Sequence, residues 1–144
     1  MIDLTIVIPA FNESARLRDG FDRLAPALGE LGESNVEVIV VDDGSSDNTL
    51  HRAHEVYGHL EHALFFQQPT NLGKGAALRL GMGLARGTHV ITADADMAVD
   101  PLQFSLFTTA LRTSASWTGR TEDPGTSCQV TSRGMTLRPS WSAR

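Results

Sequence analysis

Residues 36–49 read VEVIVVDDGSSDNT, and this stretch decides the fold. Val36, Val38, Ile39, Val40 and Val41 make a continuous apolar run, as expected of a strand covered on both faces in a parallel sheet. The run ends abruptly at two carboxylates. Upstream, Ile2, Leu4, Ile6 and Ile8 with Val7 between them predict a first buried strand that stops at Pro9, which lacks a backbone donor. Leu17, Phe21, Leu24, Leu28 and Leu31 then recur every three or four residues on one helical face, with a break or kink expected at Pro26. Downstream, a helix over 48–57 with Asp47 as its N-cap precedes a third strand over 63–66 and the loop QPTNLGKG. Ala77, Leu80, Gly81 and Leu84 stripe the next helix, and a fourth strand over 89–93 runs into Asp94, Ala95 and Asp96. Asp100 before Pro101 marks the start of a helix carrying Phe104, Phe107 and Leu111. Strand and helix thus alternate. Right-handed crossovers turn that order into an α/β parallel sheet with helices on both faces, and ligands then bind beyond the carboxyl ends of the strands.

The 144 residues, 41% hydrophobic and 20% charged, suffice for one compact domain and exclude two. The N-terminus carries an acid where a signal peptide has basic residues, and no run reaches the roughly eighteen apolar residues of a membrane span, so a cytoplasmic protein is expected. The single cysteine, Cys128, makes neither an internal disulfide nor a cysteine metal cage. A net charge of -5 argues against nucleic acid as a partner, whereas acids converging in a cleft suit a cation. Charge also marks a boundary. Residues 1–112 hold eight basic and fifteen acidic side chains, a net of -7, while 113–144 hold four and two, a net of +2. That tail is rich in Ser, Thr, Arg, Gly and Pro and shows no apolar periodicity, so it is expected to be a disordered or aberrant ending.

Three polar loops fall at the strand ends: PAFNE, DDGSSD and DAD. PAFNE reads equally as a strand exit with Asn12 or Ser14 capping a helix, and Gly44 to Asp47 read best as a turn and cap. Asp42 and Asp43 repel each other at the mouth of a buried strand, so at least one is expected to face a donor such as a base N–H or a ribose hydroxyl. Asp94 and Asp96 flank Ala95 and project to one side if the backbone stays extended, a spacing that suits Mg²⁺ or Mn²⁺ or leaves two solvated acids. Lys74 is the only lysine in the chain and lies between two glycines before a helix, where it faces a phosphate or solvent. His51, His54 and Glu55 share a helix and read as a surface patch. Neither a dinucleotide-dependent dehydrogenase nor a sugar-nucleotide pyrophosphorylase fits, because no glycine-rich loop follows the first strand.

Taken together, TIVIPAFNE, VEVIVVDDGSSDNT, NLGKGAALRLGMGLARG and VITADADMAVDP resemble, in order and spacing, the family 2 glycosyltransferases of the GT-A fold. Within that family they look most like polyprenyl (dolichyl) phosphate mannose and glucose synthases, over residues 3 to 112. The resemblance implies a nucleotide-sugar-binding part over 1–112 and a fold truncated after its fourth strand–helix unit. It implies that Pro9, Phe11 and Glu13 line the nucleotide pocket and that Val41 and Asp43, with Asp42 beside them, hold the base. Asp94 and Ala95 would contact the ribose and diphosphate, Lys74 would face phosphate, and Asp96 with Asp94 would hold Mg²⁺ or Mn²⁺ as the catalytic pair. The implied reaction is inverting transfer of a sugar from a UDP-glucose or GDP-mannose type of donor to a polyprenyl phosphate, with peripheral contact at the cytoplasmic face of a membrane. Such enzymes continue past the Asp-x-Asp helix with a basic motif for the diphosphate, and Arg120 in WTGR is the one candidate for it. A catalytically incompetent nucleotide-sugar-binding remnant, or a subunit completed by a partner chain, is the alternative. A fourth strand without a neighbour would leave an open sheet edge and favour self-association.

Overall fold

The computed structural model describes residues 1–98, 100, 101, 103, 104, 106 and 130–132. Strands β1 (Leu4–Ala10), β2 (Val36–Asp42), β3 (Ala63–Gln67), β4 (His89–Thr92) and β5 (Val130–Ser132) form one sheet in the order β3-β2-β1-β4-β5. The first four are parallel, and β5 runs antiparallel along β4. Helices α1 (Leu17–Leu31), α2 (Thr49–Tyr57) and α3 (Lys74–Leu84) make the crossovers, with a single 3₁₀ turn over Glu33–Asn35 before β2.

Alternation along the central strands divides the core into two apolar layers. Leu4, Ile6 and Ile8 of β1 and Val36, Val38 and Val40 of β2 face α1 and α2, where Leu17, Leu24, Leu28, Val56 and Tyr57 meet them. Val7, Ile39 and Val41 point the other way, onto Ala77 of α3. The result is three layers with a sheet buried on both sides, which is why its strands read as unbroken apolar runs.

Several expectations change in detail. β1 passes through Pro9 rather than stopping there, pairing it with Val41. The Val7 carbonyl accepts from Ala93 on the β4 side, so the donor missing at Pro9 points to that same side, beyond the end of the β1–β4 ladder at Thr92. Helix α1 is continuous through Pro26, which is exposed, as is Asp22 one turn earlier, whose carbonyl Pro26 has no N–H to satisfy. Its N-cap position is Arg16, and neither Asn12 nor Ser14 caps it. Leu80 is exposed, because α3 turns Ala77 and Gly81 inward and lays Leu78 and Met82 against the sheet instead. The outer edge of β4 is not open: His89, Val90 and Ile91 pair with Ser132, Thr131 and Val130, inside the tail in which no strand was expected. Phe104 is fully buried in the first layer, whereas Phe107, Leu111 and Arg120 lie outside the described residues.

Among the described residues no helix is long and apolar enough to cross a membrane. At the amino ends of the strands Glu37 is completely buried and accepts from the Thr5 hydroxyl at 2.8 Å, the Arg86 amide at 2.9 Å and the Arg86 Nε at 2.6 Å. This is a structural ion pair, remote from the strand exits, that the apolar pattern of β2 conceals.

Candidate functional site

Strand order reverses at β1: β2 and β3 lie on one side of it and β4 on the other. The loops leaving β1 and β4 therefore diverge and open a crevice between them. A cavity of about 450 Å³ lies there. The exit of β1 contributes Pro9, Phe11 and Glu13 to its walls, and the exit of β4 contributes Asp94, Ala95 and Asp96. Asp43 and Lys74 line it from the β2 and α3 side, joined by Asn71, Gly73 and Arg16, none of which the sequence singled out. Val41 and Asp42 lie behind the wall: Val41 is buried under α3, and Asp42 is fully buried at the end of β2.

The first two loops are zipped together by short polar side chains. Asn12 adopts a φ of 53°, which asparagine tolerates better than most residues. Its side-chain Oδ1 accepts from the Ser46 backbone amide at 3.0 Å, and its own backbone amide donates to the Ser45 hydroxyl at 2.9 Å. The Glu13 amide donates to the Thr49 hydroxyl at 2.9 Å, and the Ser14 hydroxyl donates to Asp47 at 2.7 Å. Asp47 also accepts from the Thr49 amide at 2.9 Å, although the N-cap position of α2 is Asn48. Desolvation raises the Asp47 pKa, and the bonds from Thr49 and Ser14 together lower it by more, leaving the carboxyl below its ordinary value. Gly44, at a φ of 71°, is indispensable here, since a Cβ would lie 2.5 Å from the Thr70 carbonyl carbon.

The repulsion between Asp42 and Asp43 is relieved inside the protein. Asp42 accepts from the Ser45 amide at 3.0 Å, from the Ser45 hydroxyl and from Gln67 Nε2 at 2.8 Å. Asp43, almost completely buried, accepts from Gln68 Nε2 at 2.7 Å and from the amides of Leu72 and Gly73 at 2.8 and 2.9 Å. Its carboxylate thus fixes the loop that presents Lys74.

Across the crevice, Asp94, Ala95 and Asp96 form a turn closed by the Met97 amide on the Asp94 carbonyl at 2.9 Å. Met97 has a φ of 48°, a conformation that costs a non-glycine residue about 1–2 kcal/mol and is held here by a side chain only 2% exposed. Lys74 Nζ donates to Asp94 Oδ1 at 2.5 Å. Asp96 is partly exposed and accepts from the Ala98 amide at 3.2 Å. Arg16 pairs with Glu13 at 3.4 Å.

The donor set is two carboxylates on one turn beside a space large enough for a ligand. Hard oxygens of this number suit Mg²⁺ or Mn²⁺, which take one or two carboxylates and complete their shell with phosphate and water. Among the described residues no group of three potential metal ligands occurs. The histidines point elsewhere: His51 pairs with Glu55 at 3.4 Å and the His54 ring packs on Phe65 at 4.0 Å.

The model of glycosyl transferase family 2 matches residues 5–116. The chain belongs to that family. A dolichyl-phosphate beta-glucosyltransferase of Trichomonas vaginalis is 35% identical over 107 residues, which are 72% of this chain and 33% of the relative. The dodecaprenyl-phosphate galacturonate synthase of Rhizobium johnstonii is 36% identical over 101 residues, 69% of this chain and 30% of the relative. Among solved structures, the glucosyl-3-phosphoglycerate synthase of Mycobacterium tuberculosis, in complex with Mn²⁺, uridine diphosphate and glucosyl-3-phosphoglycerate, matches with a TM-score of 0.61 at 29% identity, over 78% of this chain and 40% of that one. The family 2 chain thus spans about a third of the length of the curated relatives it matches. Its architecture is that of GT-A glycosyltransferases, as the motifs implied.

Proposed function

We propose that the cavity takes the nucleoside diphosphate of a sugar donor, of the UDP-glucose or GDP-mannose type, together with Mg²⁺ or Mn²⁺, and that the sugar passes with inversion to a polyprenyl phosphate. The observation that carries this reading is the convergence of Asp94, Asp96, Glu13 and Lys74 on one cavity at the switch point of the sheet. The relatives support it, since one is a dolichyl-phosphate beta-glucosyltransferase and another a dodecaprenyl-phosphate galacturonate synthase. The Mn²⁺ and uridine diphosphate of the structural neighbour support the metal and the donor class.

In this reading Asp96 and Asp94 hold the cation, which supplies Lewis-acid stabilisation of the charge that develops on the leaving diphosphate. Pro9, Phe11 and Glu13 wall the nucleotide side and Ala95 approaches the ribose. Val41 and Asp42 shape the base side from behind, and Asp43 acts through the loop it fixes. An acceptor phosphate oxygen forms its bond to the anomeric carbon as the bond to the diphosphate oxygen breaks, and the electron pair leaves with the nucleoside diphosphate. A phosphate monoester is already largely ionised near neutral pH, so this acceptor needs no strong base. A lipid acceptor places the reaction at a membrane surface, the cytoplasmic face in this proposal.

Thermal unfolding with Mn²⁺ and a panel of UDP- and GDP-sugars tests the donor site, because a ligand present at a hundred times its Kd stabilises the native state by about 2.7 kcal/mol. A metal-dependent rise in midpoint for one nucleotide, abolished by Asp96→Ala, is expected. A cooperative transition indifferent to every nucleotide would refute the site. Binding without transfer to a polyprenyl phosphate would instead favour the incompetent remnant or the incomplete subunit.

A further inference from the structure

We propose that Lys74 is a built-in counter-ion for Asp94 that makes cation binding in this cavity conditional on the nucleotide; the inference rests on the donor-site reading above. Lys74 Nζ lies 2.5 Å from Asp94 Oδ1, with the two side chains 52% and 37% exposed, so the pair is closed yet open to exchange. The backbone beside it is fixed, because Asp43 holds the amides of Leu72 and Gly73. Only the four-carbon stem of Lys74 is left to move. The cavity's other lining cation, Arg16, is paired with Glu13.

A divalent cation arriving alone at Asp94 and Asp96 meets the ammonium already on Asp94 and is repelled by it. A diphosphate changes this balance, since it offers the ammonium a charge-assisted partner of its own and leaves the Asp94 carboxylate to the cation. Lys74 is thereby passed from carboxylate to phosphate as the site fills. Each ligand favours the other by the same factor, as linkage requires. The free site resists stray cations, and the metal is retained only with the nucleotide.

Titration calorimetry of the 144-residue chain with Mn²⁺, with UDP or GDP, and with both, tests the proposal by comparing wild type with Lys74→Met. Removing the ammonium is expected to tighten Mn²⁺ alone by about tenfold at low salt. It is expected to weaken the nucleotide by about tenfold, the worth of one charge-assisted hydrogen bond. The factor by which nucleotide tightens Mn²⁺ then shrinks. Lys74→Gln, with melting curves for both variants, guards against a folding artefact. Mn²⁺ affinity that is unchanged or weaker in both folded variants overturns the counter-ion role while leaving the donor site standing. A wild-type chain that binds neither Mn²⁺ nor nucleotide overturns the donor site, and this inference with it.

Discussion

An alanine at position 20 tests whether helix α1 sets the position of the turn that carries Asp94 and Asp96. Gly20 lies in the buried face of α1, and a Cβ built there falls 1.9 Å from the Ala95 carbonyl oxygen and 3.4 Å from the Asp96 Cα. Real Cβ atoms essentially never approach closer than 3.0 Å, so helix and turn must separate by about 1.1 Å. The turn has little slack, with Met97 buried at a φ of 48° directly after it. Overpacking of this kind costs about 1–3 kcal/mol, or a fall in Tm of roughly 3–9 °C for a chain of this size. A functional cost comes on top of this, because a displacement of about 1 Å in a positioning element can lose about a hundredfold. Gly29→Ala is the control: it lies on the same helix, exposed, with nothing within 4 Å of its Cβ, and should gain up to about 1 kcal/mol of helix propensity. Calorimetry with Mn²⁺ and UDP or GDP, together with melting curves, reads both effects. Gly20→Ala binding metal and nucleotide as wild type does, at an unchanged Tm, would refute the claim that α1 sets the turn.

Asp43→Asn replaces one of two accepting oxygens with an N–H₂, which then faces either the Gly73 amide or the donors of Gln68 and Leu72; it should cost about 2–3 kcal/mol and speed hydrogen exchange in the Leu72–Gly73 loop, and unchanged exchange would show that the loop does not depend on Asp43. Arg86→Ala leaves Glu37 buried without its cation; urea unfolding should show a loss of about 2 kcal/mol, below the cost of breaking a fully buried pair because the Arg86 side chain is 56% exposed. Tyr57 is fully buried and its hydroxyl has no hydrogen-bond partner among the described residues, so Tyr57→Phe should be neutral or stabilising by up to about 1 kcal/mol. Burial raises the Tyr57 pKa above its ordinary 10.0, so the folded chain keeps a proton that the unfolded chain loses; stability falls as pH rises above 10, and Tyr57→Phe should flatten that decline.

The fold was legible where burial on both faces of the sheet wrote itself into unbroken apolar runs, as in Val38 to Val41, and where helices showed a clear stripe, as Leu17, Leu24 and Leu28 do. It was less legible where solvent decides. Pro26 does not end α1 although it removes one helical hydrogen bond, and it lies on the solvent side, while Leu80 looks like core until the path of α3 turns it outward. The short strand at Val130–Ser132 carries no period of its own and is defined only by its pairing with β4. At the site, Asp94, Asp96, Pro9 and Glu13 were readable because they follow strand ends directly, and strand ends are where such sheets bind ligands. Arg16 and Asn71 were not, since their place in the wall depends on how the loops fold back. The glutamate of VEVIVV gave no signal that it anchors Arg86.

The acidic residues at the carboxyl end of the sheet divide by the work their oxygens already do. Asp42 and Asp43 each accept three hydrogen bonds from the chain itself, and Asp47 accepts from both Ser14 and Thr49, so the densest acidic motif serves mainly to hold loops. Asp94 and Asp96 lie on the opposite wall, where one faces a lysine on a flexible stem and the other a single amide at 3.2 Å. The cation of the proposed donor site would therefore find two exchangeable carboxylates in the later motif. The two motifs are physically dependent: Asp43 places Lys74, Lys74 compensates Asp94, and α1 presses the intervening turn through Gly20. Loosening the earlier motif should therefore show up as altered metal binding at the later one, across a cavity wall rather than along the chain.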